Sequence, residues 1–118
     1  MMNIRKSEMN ILEVLWTEGE MSASRLYRIL EEKIGWKKST TYTVISKCIE
    51  KGFVKRVEPG FICQPLIERE DVHNAKFIDI LRDYYSNSRS YFLSAFVKES
   101  PLTDEEVQRL NDIVERLK

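Results

Sequence analysis

The chain has 118 residues and a mass of 14.0 kDa, with 19 Lys and Arg against 19 Asp and Glu, 42% hydrophobic residues and only 4 Gly and 3 Pro. That length suits one ordinary domain, or a small domain with an accessory element, and excludes a large multidomain enzyme. A charged share of 32% beside a normal complement of Leu, Ile, Val and Phe excludes a disordered chain.

Residues 7–17 place Ile11, Leu12, Leu15 and Trp16 on one face of an α-helix. Ser7 is the expected N-cap, Glu8 lies in the first turn and Gly19 is the stop. After a short connection over 18–21, a second helix opens at Ser22, turns Ala23, Leu26, Leu30 and Ile34 inward and ends at Gly35. A third begins near Ser39 or Thr40 and runs to Lys51. Thr41, Val44, Ile45 and Cys48 face inward along it, and Ser39, Thr43, Ser46, Lys47 and Glu50 face outward. Beyond Gly52 the hydrophobic period shifts from about 3.6 to 2. Residues 53–57 and 61–65 therefore read as a hairpin, with Glu58, Pro59 and Gly60 as its turn. Three short helices followed by a hairpin are the order of a winged helix-turn-helix module.

From Glu68 onward the chain is helical again. Val72, Phe77, Ile80, Leu81, Tyr84 and Tyr85 form an apolar stripe that breaks at Asn87 or Ser88. Residues 89–98 carry Tyr91, Phe92, Leu93, Phe96 and Val97 and end at Ser100 and Pro101. The last helix opens on a capping box, Thr103 with Glu106, and a hydrophobic staple of Leu102 against Val107. Its Val107, Leu110, Val114 and Leu117 make an a/d seam too short to hold a coiled coil alone. The expected fold is mostly α with a small β-hairpin: a winged helix DNA-binding domain over 1–67 and a helical dimerisation region over 68–118.

The zero net charge hides an asymmetry. Residues 1–67 sum to +3 and residues 68–118 to −3, and +6 is concentrated between Lys33 and Arg56. Such a cluster in a neutral protein fits a phosphate backbone. The third helix of the module is the one that enters a major groove, so Lys37, Lys38, Ser39, Thr40, Tyr42, Thr43, Ser46 and Lys47 are the candidate DNA-binding residues. Lys55 and Arg56 join them from the first strand, whereas the acid at the tip, Glu58, is repelled by phosphate; the wing is expected to touch DNA through its stem.

The C-terminal segment has more large apolar side chains than two or three short helices bury among themselves. A twofold homodimer is the commonest closed solution, with Phe77, Ile80, Leu81, Tyr84, Phe92, Phe96, Val107, Leu110 and Val114 as candidate dimerisation residues. The alternative reading is a winged-helix protein-interaction module without sequence-specific DNA binding.

Other chemistry is poorly represented. His73 reads as a surface helix residue and Cys48 as core, while Cys63 stays ambiguous. Asp79 and Asp83 flank Arg82 and read as a solvated face. Two cysteines and one histidine make no metal set, and no nucleophile or phosphate loop can be assembled; neither a metal, a cofactor nor an enzyme is expected. Apolar runs at 91–93 and 95–97 fall far short of the ~20 residues that span a bilayer, and no signal-peptide pattern follows Arg5, Lys6 and Glu8. The expected location is cytoplasmic, without membrane insertion.

Several stretches resemble the BlaI/MecI/CopY family of bacterial repressors, the penicillinase repressor family. They are the opening helix SEMNILEVLW over 7–16, STTYTVI over 39–45, KGFV over 51–54, FLSAFVKE over 92–99 and LTDEE over 102–106. The resemblance covers essentially the whole chain, and its C-terminal part separates this family from other winged helices. It implies a homodimeric transcriptional repressor whose winged helix binds an inverted-repeat operator in double-stranded DNA and whose C-terminal helices form the dimer. In β-lactam-responsive members it further implies a membrane sensor metalloprotease system that leads to a cut in those helices. The matching bond here joins Ala95 and Phe96, where the family's cleaved bond has Asn before Phe. The paired Cys-x-Cys motifs of the copper-responsive members are missing, which argues against copper sensing.

Overall fold

The apolar positions spaced by three and four along the first half of the chain meet in one core. The computed structural model describes residues 3–118 and builds that core from α1 (Lys6–Glu18), α2 (Ala23–Ile34) and α3 (Lys38–Glu50). Ile11, Leu12, Val14 and Leu15 of α1, Ala23, Leu26 and Leu30 of α2, and Thr41, Ile45 and Cys48 of α3 are buried. Burying one Leu or Ile side chain stabilises the fold by roughly 1.5–3 kcal/mol, so this contiguous set dominates its energetics.

Local chemistry decides most of the boundaries. Ser22 caps α2 by accepting the Arg25 N–H at 3.1 Å, and Gly35 closes the helix in the left-handed region at φ +70°. Two expected starts move. α1 begins at Lys6 with Arg5, not Ser7, as N-cap, because Glu8 at the third position accepts the Arg5 N–H at 2.9 Å. α3 begins at Lys38 with Lys37 as N-cap, which leaves Ser39 inside the first turn. Ile34, expected inward, is 47% exposed because the last turn of α2 runs beyond Leu30, its last buried residue.

The hairpin forms from β2 (Val54–Val57) and β3 (Ile62–Pro65), antiparallel, with Val54 opposite Pro65 and Val57 opposite Ile62. The stretch expected to be only a connection supplies a further strand, β1 (Met21–Ser22), which pairs Met21 with Cys63 and Ser22 with Ile62. The sheet order is β1-β3-β2. A strand of two residues shows no alternation, so its sequence carries no periodic signal. Cys63 therefore lies on the central strand and is buried, as is Cys48 on α3. Burial pushes the Cys48 thiol up to about 12 and the Cys63 thiol to about 11. Neither cysteine should react with a thiol-specific disulfide reagent at pH 8 in the native protein, and both should react after denaturation. Prompt labelling of either one under native conditions would contradict the packing described.

α4 (Arg69–Tyr84) starts on the winged module. Trp16 Nε1 donates to the Ile67 carbonyl at 2.9 Å, Arg69 bonds Thr17 at 3.0 Å and Glu13 at 3.2 Å, Val72 is buried, and Lys76 Nζ donates to the Ile4 carbonyl at 2.9 Å. The chain divides into two compact units between Lys76 and Phe77.

The second unit holds the remainder of α4 with α5 (Arg89–Glu99) and α6 (Asp104–Leu117). Ser88 caps α5 through the Tyr91 N–H at 3.0 Å. Thr103 and Glu106 form the expected reciprocal capping box on α6, at 3.2 and 3.0 Å. Phe92 packs edge-on against Phe77 and Tyr85, both at 5.2 Å between centroids, and stacks with Phe96 at 6.1 Å. Leu81 is buried at 7% exposure, but most of the unit's other large apolar residues are not, up to 82% for Leu117.

Candidate nucleic-acid interface

Because α3 spends residues 41, 45 and 48 on the core, its opposite face must carry the residues between them. Lys37, Lys38, Ser39, Thr40, Thr43, Ser46 and Lys47 are all exposed and form that face. At its N-terminal end the Lys37 side chain makes no capping bond, and the Thr41 hydroxyl donates back to the Lys37 carbonyl at 3.1 Å. The first-turn N–H groups thus lie beside two lysines with no side-chain cap among the described residues, an environment suited to an anionic oxygen.

Tyr42 is different. Its half-buried ring turns toward the hairpin and meets Phe61 edge-on at 5.8 Å and 88°, with Lys38 Nζ at 5.8 Å from its own centroid. Lys55 and Arg56 are exposed on β2. The Arg56 guanidinium lies 3.7 Å from the Phe61 ring centroid and bonds Glu58 through Nε. That bond, with the Phe61 N–H, holds the Glu58 carboxyl below the usual carboxylate range. The acid at the tip is thus paired within the hairpin.

Part of the basic segment is committed internally. Lys33 lies 3.9 Å from Glu18 at the surface, Arg56 is bonded to Glu58, and Lys51 reaches the buried Glu8 at 2.9 Å. The charge facing outward is therefore smaller than the sequence sum and more sharply confined to the start of α3 and to β2. Phe61, expected as the first residue of the returning strand, lies in the turn before β3. Its ring contacts depend on the fold of α3 against the hairpin, and only the preceding Pro-Gly turn hinted that the residue sits at a bend.

In the second unit, Phe77, Ile80, Tyr84, Phe96, Val107, Leu110 and Val114 are exposed, Phe92 is half-buried, and Leu81 is buried. A groove of about 310 Å³ runs between α5 and α6, lined by Leu93, Phe96, Val97, Leu102, Leu110 and Ile113. The bond joining Ala95 and Phe96 lies inside α5. His73 is exposed beside Trp16 and Glu13, and Asp79 and Asp83 both bind Arg82, at 3.3 and 2.9 Å. Among the described residues no His, Cys, Asp and Glu cluster suits a metal, and no helix is long and apolar enough to cross a membrane.

A family model described as Penicillinase repressor matches residues 4–116. The chain is similar to the penicillinase repressor of Bacillus licheniformis, 23% identical over 117 residues, which cover 98% of this chain and 91% of the relative. It is also similar to the methicillin resistance regulatory protein MecI of Staphylococcus aureus (strain N315), 22% identical over 115 residues, covering 96% and 94%. Among solved structures, the DNA binding domain of the repressor BlaI in solution superposes with a TM-score of 0.54 at 22% identity, over 58% of this chain and 87% of that one. The likeness is one of fold, and it is that of a winged helix.

Proposed function

Because the chain belongs to the penicillinase repressor family, we propose that it is a DNA-binding transcriptional repressor that works as a homodimer, each copy laying α3 in the major groove of one half of an inverted-repeat operator. The observation that carries this reading is the single exposed face of α3, where Lys37, Lys38, Ser39, Thr40, Thr43, Ser46 and Lys47 stand together. Lysines offer point charges to phosphates and donors to guanine acceptors, and the hydroxyls bond either bases or backbone. Lys55 and Arg56 extend the contact to the wing.

The exposed apolar faces of α4, α5 and α6 support the dimer. Side chains such as Phe96 at 51% and Val114 at 49% exposure gain most by meeting their own copies across a twofold axis. A cut between Ala95 and Phe96, by a protease that a membrane sensor system controls, would separate α6 from α4 and so undo the dimer. Because that bond is helical, α5 must open locally before it can be cut.

The test is titration of promoter duplex carrying an inverted repeat against a scrambled duplex, over a series of salt concentrations. Affinity for the repeat should exceed that for the scrambled sequence, and log K should fall by about 0.9 per phosphate contact for each log unit of salt. Lys47→Ala should weaken binding about three- to fivefold with the fold intact by circular dichroism, since Lys47 is exposed and supports the helix only as a cation in the last turn of α3. Equal affinity for both duplexes would leave no sequence-specific repressor.

A further inference from the structure

Phe61 occupies a backbone conformation that a bulky side chain adopts only where its surroundings impose it: φ is +49°. Four contacts impose it. Its carbonyl accepts the Ala23 N–H at 2.9 Å, its own N–H donates to Glu58 Oε2 at 3.3 Å, Tyr42 meets the ring edge-on, and Arg56 covers the ring at 3.7 Å. Ala23 opens α2 and Tyr42 belongs to α3, so one residue ties the wing tip to both helices of the helix-turn-helix.

An outlier held so firmly calls for a reason, and the reason lies in what it positions. An arginine on a free hairpin samples many rotamers. Here the ring supports the guanidinium from one side, and Glu58 takes the single Nε–H. Guanidinium carries five N–H donors, so the four on its terminal nitrogens stay available as a planar fork for an acceptor such as phosphate. At the other end of the same row, Lys38 lies 5.8 Å from the Tyr42 ring. The row Lys38, Tyr42, Phe61, Arg56 places a cation at each end of a packed aromatic pair.

We infer that Phe61 is a positioning residue that, braced by Tyr42 of α3, fixes Arg56 as the wing's contact to the DNA backbone. The inference rests on the DNA-binding reading above. Its test is a cycle of variants titrated with the inverted-repeat duplex over a salt series.

Arg56→Gln should lower affinity about fivefold and reduce the salt slope by about 0.9. Phe61→Leu keeps apolar bulk without an aromatic face, and it should reproduce most of both changes. Phe61→Tyr restores the face and should bind within about twofold of the wild type. The double variant Arg56→Gln, Phe61→Leu should bind no more weakly than Arg56→Gln alone. Losses that multiply in the double variant, an unchanged slope for Phe61→Leu, or failure of Phe61→Tyr to rescue would each overturn the positioning role. If Phe61→Leu melts early, Phe61→Met supplies the same comparison. A wild type that binds repeat and scrambled duplex alike overturns the repressor reading and this inference with it; a wild type that binds specifically while the cycle is additive overturns this inference alone.

Discussion

Replacing Leu110 and Val114 together by Glu should yield a monomer whose affinity for a complete inverted repeat is lower by about 10²- to 10⁴-fold, while its affinity for an isolated half-site is unchanged. The two residues lie four apart on α6, hence on one face, at 41% and 49% exposure. Across a twofold interface each substitution appears twice, so four carboxylates enter one apolar patch, where desolvating each charge costs several kcal/mol. The like charges that they set four apart along α6, with Glu106, cost that helix only about 0.2–0.5 kcal/mol per pair. Its capping box is untouched, and Glu is a good helix former. The loss of operator affinity comes from effective concentration: in a dimer, the second half-site is engaged intramolecularly, and a monomer forfeits that advantage. Sedimentation equilibrium and titration against whole and half operators report the two effects separately. A variant that stays dimeric would place α6 outside the interface, and a monomer with full operator affinity would detach dimerisation from DNA binding.

What could be read from the sequence is what local chemistry decides. Ser22, Gly35, Ser88 and the pair Thr103 and Glu106 act on backbone groups within one turn of themselves, and each does in the structure what its type and position imply. The outward face of α3 was legible for a related reason: once Thr41, Ile45 and Cys48 are assigned to the core, helical geometry dictates the rest. Features that depend on distant partners were not legible. Lys51 counted toward a basic cluster, yet its partner Glu8 is 43 residues away and takes that charge inward. Met21 pairs with Cys63 only because β3 offers its second edge. Phe61 becomes notable only when α2, α3 and β2 converge on it. These residues mark where tertiary structure overrides or reassigns local preference.

The partnership of Glu8 and Lys51 carries the second large effect. Glu8 Oε1 accepts both the Arg5 N–H and Lys51 Nζ at 2.9 Å, and Lys51 also donates to the Asn3 carbonyl at 3.1 Å. The carboxylate is 1% exposed, and its Oε2 has no hydrogen-bond partner among the described residues. Burial opposes its ionisation most strongly of any single influence. The Arg5 N–H and Lys51 together outweigh burial and hold the carboxyl below its usual range.

Lys51→Met should therefore cost about 2–4 kcal/mol at pH 7, measured by urea denaturation, because it leaves a buried carboxylate without its cation. Glu8→Met combined with Lys51→Met should be within about 1 kcal/mol of the wild type, since removing both charges removes the desolvation cost as well as the attraction. The pH dependence has a definite sign. In the wild type the folded value is depressed, so Glu8 contributes stability that is complete above its unfolded pKa and lost as pH falls through the folded one. In Lys51→Met only Arg5 is left to oppose burial, so the folded value rises relative to the wild type, and the penalty is complete above that value and fades as the carboxyl takes up a proton. The gap between the two proteins should thus be widest near neutrality and narrow steadily as the pH falls below the ordinary Glu range. A gap independent of pH from neutrality downward would mean that Lys51 stabilises the fold through its packing and not through the charge of Glu8.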